Sequence, residues 1–118
     1  MINIKELRSV LKSLYTEGGP ERCGFILPGN KLVEVKNTAP NPEEGFQVSP
    51  EDFIQYMDEE GAIATWHTHP NYQSNISGDD YIAFKAFSDQ HHFIIGNDGV
   101  RCYKMDMTKK AIMEVADE

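Results

Sequence analysis

The residues best suited to chemistry in this sequence are His67-Thr68-His69-Pro70, followed by Ser77 and Asp80. Imidazole nitrogen and carboxylate oxygen are ligands that zinc takes, and a catalytic zinc uses three protein ligands with the fourth position left to water. Whether two histidines two apart can share an ion depends on the backbone. On a strand, side chains i and i+2 point to one face, ~6–7 Å apart along the chain, and their rings can converge on a metal at ~2.0–2.1 Å. On a helix they would diverge. The alternation Ile63, Thr65, His67, His69, closed by Pro70, predicts the strand and sends Thr68 to the opposite face, away from the metal. Asp80 is the expected third ligand. It falls in the first turn of a helix predicted to begin at Ser77, after a polar loop long enough to fold that helix start over the strand end.

A metal-activated water also needs a base that takes its proton and passes it to the leaving nitrogen. Glu21, just before the apolar run Cys23–Leu27, is the best-placed acid not spent as a ligand. Residue types alone leave it open between that role and a solvated charge at a strand end. Ser77 with Asp80 three positions on is also a helix N-cap arrangement, worth ~1 kcal/mol by itself. Asp79 is the rival ligand to Asp80, and its place in the first turn suits the helix dipole. Adjacent His91 and His92 point to opposite faces of a strand and so do not both join the site; both read as ordinary surface or half-buried residues. Trp66 alternates away from the metal face and is expected in the core. Tyr72, in the loop after Pro70, is the candidate for a substrate wall.

The elements that must position these residues follow from periodicity. Ile4, Leu7, Val10, Leu11 and Leu14 recur at helical spacing, giving a first helix expected to stop near Gly18-Gly19-Pro20. Two strands flank the turn Pro28-Gly29-Asn30, and Ala39 to Gly45 is a loop held by two prolines. Ser49-Pro50-Glu51-Asp52 starts a helix that carries Phe53, Ile54 and Met57 inward and ends before Gly61. A strand from Ala62 to about His69 follows, then the Ser77 helix presenting Tyr81, Phe84 and Phe87. Next comes a hairpin around Gly96-Asn97-Asp98-Gly99. The tail from Lys109 fits strand and helix equally. Interspersed strands and helices predict an α/β fold: one domain over residues 1–118, a single mixed β-sheet flanked by helices.

Glu21-Arg22-Cys23-Gly24, His67-Thr68-His69-Pro70 and Ser77-Gly78-Asp79-Asp80 together resemble the signature of the JAMM (JAB, MPN-plus) zinc metalloproteases. That signature is an upstream glutamate, His-x-His-Pro, six residues, serine, two residues and aspartate. The resemblance covers nearly the whole chain, with Thr68 in place of the more usual serine. It implies a cytidine-deaminase-like JAB/MPN domain, one zinc on His67, His69 and Asp80, Glu21 as general acid/base, and Ser77 hydrogen-bonded to the oxyanion. The deubiquitinating members carry insertions that grip ubiquitin, for which this short chain has little room. Asn37-Thr38-Ala39-Pro40-Asn41-Pro42 with Phe46 is similar to the small prokaryotic and tailed-phage branch. In phage tails such a domain often accompanies an NlpC-type cell-wall peptidase, which this chain does not include.

The expected activity is therefore hydrolysis of an amide, peptide or isopeptide, with a protein or peptide as partner: a ubiquitin-like or sulfur-carrier tail, a phage tail protein or a cell-wall peptide. A non-enzymatic assembly module with a structural zinc is the rival. A zinc deaminase is set aside, because its His-x-Glu and Pro-Cys-x-x-Cys are missing. The formal charge of −8, from 19 acidic and 11 basic residues, disfavours nucleic acid. A hydrophobic content of 40% without an apolar run near ~20 residues disfavours a membrane span. The start of the chain lacks the basic-then-apolar pattern of a secretory signal, so a cytoplasmic location is expected, with Cys23 and Cys102 as buried free thiols.

Overall fold

A strand that reads as an unbroken apolar run needs cover on both faces. Cys23-Gly24-Phe25-Ile26-Leu27 is such a run, and in a computed structural model describing residues 2–116 it forms β1 (Cys23–Leu27), buried along its whole length. The chain reverses through Gly29 and Asn30, both at positive φ, into antiparallel β2 (Lys31–Val35). β3 (Ala64–Thr68), β4 (His91–Gly96), β5 (Gly99–Asp106) and β6 (Ala111–Val115) complete a six-stranded sheet of order β2-β1-β3-β4-β5-β6. Every neighbouring pair is antiparallel except β3 and β4. A parallel pair needs a crossover, and α3 (Gly78–Ala86) supplies it, starting beside the end of β3. The fold is thus α/β with one mixed sheet. Met1, Asp117 and Glu118, the ends of the expected 1–118 domain, lie outside the described residues.

One face of the sheet packs against α1 (Ile4–Lys12), whose Leu7 and Leu11 meet Ile26, Ala64, Trp66, Phe93 and Ile95. The other face carries two separate clusters. Over β1 lie Phe53, Tyr56 and Met57 from α2 (Pro50–Phe53) and the π-helical turn Ile54–Glu59. Over β4 and β5 lies Phe84 of α3, with Ile94 and Tyr103. His67 sits on this second face, between the two. Trp66 is in the core on the opposite face, as its alternation required.

Several expected boundaries shift. α1 stops at Lys12 rather than near Gly18, because the Ser13 hydroxyl donates to the Val10 carbonyl and the next backbone bonds tighten to i→i−3. Val10, expected inward, is half exposed. Ile54 is also corrected, at 52% exposure. The Glu60 amide reaches back five residues to Gln55, and in this wider turn Tyr56 joins Met57 against β1 in place of Ile54. β3 is shorter than Ala62–His69, yet the Ile63 amide donates to Ile26 and the His69 amide to Ile95, extending its ladder at both ends. The tail is a strand, and both cysteines are buried thiols outside any disulfide. Among the described residues no helix is long and apolar enough to cross a membrane.

Candidate metal centre

Strand register brings three of the candidate residues together. In the antiparallel β1–β3 pair, Cys23 lies opposite His67 and Gly24 opposite Trp66. The pairing runs on past β1: the Thr68 amide donates to the Arg22 carbonyl, and the Arg22 amide donates to Thr68 Oγ1 at 2.8 Å. One step further back Glu21 faces His69. Since i and i+2 share a face, Glu21, His67 and His69 turn to one side. Their ligand atoms all lie within 4.8 Å of one another, a group able to hold a metal ion. Thr68 takes no part in that group; it clasps the segment that carries Glu21.

Asp80 reaches the same point from α3. Its Oδ1 lies 3.1 Å from His67 Nε2, its Oδ2 lies 3.0 Å from His69 Nε2, and the two Nε2 atoms are 3.2 Å apart. The helix start fixes the carboxylate. Ser77 is the N-cap, its Oγ accepting from the Asp80 amide at 3.1 Å while the Ser77 amide donates to Asp80 Oδ2 at 3.2 Å. This is a full capping box. Both cap bonds leave the proton of the exposed Ser77 hydroxyl uncommitted. Asp79 is exposed in the first turn, where its charge suits the helix dipole.

His69 is oriented by the loop that follows it, with Nδ1 against the Gln73 carbonyl at 2.9 Å. Donation through Nδ1 leaves Nε2 free to ligate a metal. That loop rests directly on Gly96: a Cβ there would run into the backbone of Tyr72, Gln73 and Ser74. The Asn97 amide bonds the Tyr72 carbonyl and the Ser74 amide bonds Asp98 Oδ1, sealing the contact. Among the described residues, His67 Nδ1 has no hydrogen-bond partner. Packing holds it instead, with Phe46 stacked at 4.4 Å between ring centroids and Phe84 at 6.0 Å on a tilt.

The electrostatics follow from burial and crowding. Burial lowers the pKa of His67 and outweighs the opposing pull of Asp80, which keeps its imidazole neutral. For His69 burial also disfavours charge, but hydrogen bonds to Asp80 and Gln73 prevail and raise its pKa. Asp80 is likewise opposed by burial, yet the two imidazoles hold its carboxyl well below the usual carboxylate range. Glu21 is half-buried, and desolvation raises it to about 7 against the attraction of His69. A carboxyl poised there can take and return a proton near neutrality. Cys23 is no competitor for a metal: burial pushes its thiol up to about 12, and Sγ faces the Val35 carbonyl.

Three residues gain roles that sequence reading did not assign. Asn37 organises the loop beside Glu21 with five hydrogen bonds. Its Nδ2 donates to the carbonyls of Glu21, Pro42 and Gly45, and its Oδ1 accepts from the amides of Ala39 and Gln47. The available signal was an asparagine opening a proline-rich loop, the side chain best able to imitate backbone. Phe46 walls His67. His92, read as surface or half-buried, is fully buried: it stacks on Phe84 at 4.1 Å, lies 2.6 Å from Thr65 Oγ1 through Nδ1, and bonds the Phe87 carbonyl through Nε2. Tyr72 is largely exposed on the loop after Pro70, and with Glu21, His69 and Ser77 it lines a cavity beside the centre.

Solved structures share this architecture. The chain is similar to the solution structure of a protein from Desulfitobacterium hafniense, at 16% identity and a TM-score of 0.56, covering 98% of this chain and 90% of that one. It is also similar to one from Salinibacter ruber, at 13% identity and a TM-score of 0.51, covering 97% and 85%. Likeness at this identity shows the fold alone. No family model and no curated protein matches the chain.

Proposed function

We propose that this chain is a zinc-dependent hydrolase of amide bonds, a peptidase or isopeptidase of the JAMM type. The supporting observation is that a carboxyl raised to about 7 stands beside two imidazoles whose Nε2 atoms share the Asp80 carboxylate. The donor chemistry fits zinc. Two nitrogens and a carboxylate oxygen are an open-site ligand set, and here they converge to within 3.0–3.2 Å of one another. His67, His69 and Asp80 would hold the ion, which supplies Lewis acidity toward a carbonyl and acidifies water.

The rest is done by the protein. Glu21 accepts the proton of the attacking water and returns it to the departing amine, acting first as base and then as acid. Ser77, with its hydroxyl proton free, donates to the oxyanion that develops on the scissile carbonyl. Thr68 and Asn37 keep the Glu21 backbone in place, and Gln73 keeps the His69 ring turned. The substrate is a protein or peptide.

Metal analysis and one variant test this reading. Protein loaded with excess zinc and desalted should retain about one ion per chain. Glu21→Gln should keep that ion and lose at least ~100-fold in turnover of a cleaved peptide. Metal-free protein after loading, or Glu21→Gln cleaving as fast as wild type, refutes the mechanism. Zinc lost with Glu21→Gln but kept with Asp80→Asn would make Glu21 a ligand and refute the assignment.

A further inference from the structure

The centre lies between two cavities, the first walled mainly by aromatic side chains and the second mainly by polar ones. The first, about 500 Å³, fills the gap between the cluster over β1 and the cluster over β4, with Phe25, Phe46, Phe53, Met57, Phe84 and Phe87 on its walls. Thr65 and His92 form its floor, and they are already engaged with each other. The imidazole Nε2–H bonds the Phe87 carbonyl, so Nδ1 takes the Thr65 hydroxyl proton. The floor therefore offers no donor to a polar guest, and the remaining polar lining is Gln47, Asp79 and Asp80 with the shared Glu21, Glu44 and Ser77. The second cavity, about 630 Å³, is lined by carboxamides and acids: Asn71, Gln73, Asn75, Asn97 and Glu43. Glu21, Glu44 and Ser77 line both, so the two meet on the ridge where the amide would be cut. Each has the size of a ligand pocket.

We propose that the two cavities are the two flanks of one substrate cleft. A bulky apolar side chain, aromatic by preference, seats between α2 and α3. The amide lies across the Glu21–Ser77 ridge, and the other flank takes an uncharged polar or cationic residue. This rests on the hydrolase reading and names its substrate class. Aromatic walls favour rings in offset or tilted contact. Acids line both cavities, Glu21, Glu43 and Glu44 on the polar side and Glu21, Glu44, Asp79 and Asp80 on the apolar one, so in a chain of formal charge −8 an acidic residue is repelled on either flank.

Binding and cleavage are measured separately. N-acetyl-phenylalaninamide and N-acetyl-alaninamide are titrated into the protein, with and without zinc, and followed by two-dimensional NMR. The aromatic probe should shift the methyl resonances of Val48, Ala83 and Met57 with an affinity ~10-fold or more above the alanine probe. Ala83→Leu fills the cavity from α3 and Val48→Phe fills it from the opposite wall. Whichever folds as wild type should lose that response. Equal response to both probes, or shifts confined to residues elsewhere, overturns the apolar seat. In the second arm, zinc-loaded protein digests a peptide mixture randomised on both sides of each amide. Cuts enriched for an aromatic on one flank and depleted of Asp and Glu on the other support the cleft. Cutting without that asymmetry overturns the cleft and leaves the hydrolase standing. Selective aromatic binding without any cutting supports the seat and counts against the hydrolase.

Discussion

The proposed reaction gives Ser77 a second duty beside the helix cap, different in size, and substitution separates the two. Ser77→Ala removes the Oγ that accepts from the Asp80 amide at 3.1 Å, while the reciprocal bond from the Ser77 backbone amide to Asp80 Oδ2 survives. Loss of such a cap costs ~1 kcal/mol, whereas replacement by glycine costs a few tenths. With ~2.1 cal/mol/K of unfolding entropy per residue over 118 residues, ~1 kcal/mol moves Tm down by ~4 °C. Loss of one oxyanion donor costs ~2.7–4 kcal/mol of transition-state stabilisation, a ~100- to 1000-fold fall in kcat. Zinc content should hold in both variants, since neither removes a ligand or frees Asp80 Oδ2 from its backbone partner. Calorimetry, metal analysis and peptide turnover on Ser77→Ala and Ser77→Gly give the readout. Tm should fall with alanine far more than with glycine, while kcat collapses equally in both. Turnover that stays within ~3-fold of wild type in both variants would refute the oxyanion role and leave Ser77 a cap alone.

Three further predictions rest on positioning and burial. Gly96→Ala drives a Cβ into the loop backbone of residues 72–74; the loop must shift and His69 loses the Gln73 carbonyl. Zinc affinity in a competitive chelator titration should drop ~10- to 100-fold with stability down ~1–3 kcal/mol, and unchanged affinity refutes the account. Asn37→Ala removes the side-chain donor to the carbonyls of Glu21, Pro42 and Gly45, of which Pro42 keeps the Glu21 backbone amide. It should lower turnover while leaving zinc content intact, and equal loss of both would place Asn37 in folding rather than in positioning Glu21. His92 is held by burial at about 4, below its ordinary 6.5. The unfolded chain therefore takes up the proton first, so stability is complete above ~6.5 and falls by up to ~3 kcal/mol as pH drops toward 4. Urea midpoints between pH 7 and 4 should show that loss in wild type and less of it in His92→Gln; parallel curves refute it.

The parts of this molecule that could be read from its sequence are those set by local period. His67 lies in β3 and His69 on the extension of its ladder, and a period of two alone puts them on one face with Trp66 and Thr68 on the other. The hairpins announce themselves through Gly29-Asn30 and Asn97-Asp98-Gly99, and the α3 start through Ser77 and the acids behind it. Misreadings came where packing overrides period. Ile54 has the spacing of a buried residue, but a π-helical turn carries it outward, and no propensity marks that turn. His92 is a polar residue deep in the protein. Its burial depends on Thr65, Phe84 and the Phe87 carbonyl, partners supplied by β3, α3 and the segment after it.

Glu21 marks the boundary between the two kinds of information. Its distance in sequence from His69 says nothing about their distance in space, yet one antiparallel register settles it. With Cys23 opposite His67, residue 21 must fall opposite residue 69 and on the same face. A register slip of one residue would turn Glu21 to the α1 face and bring Arg22 to the imidazoles, replacing a carboxyl with a cation. The chain guards against that slip at the site itself. Thr68 bonds Arg22 through backbone and side chain, and the Arg22 guanidinium is fixed on the far side by Glu34 at 2.7 and 2.9 Å and by the Leu14 carbonyl. The residue between the two histidines is therefore neither a ligand nor a spacer; it locks the register on which the placement of Glu21 depends.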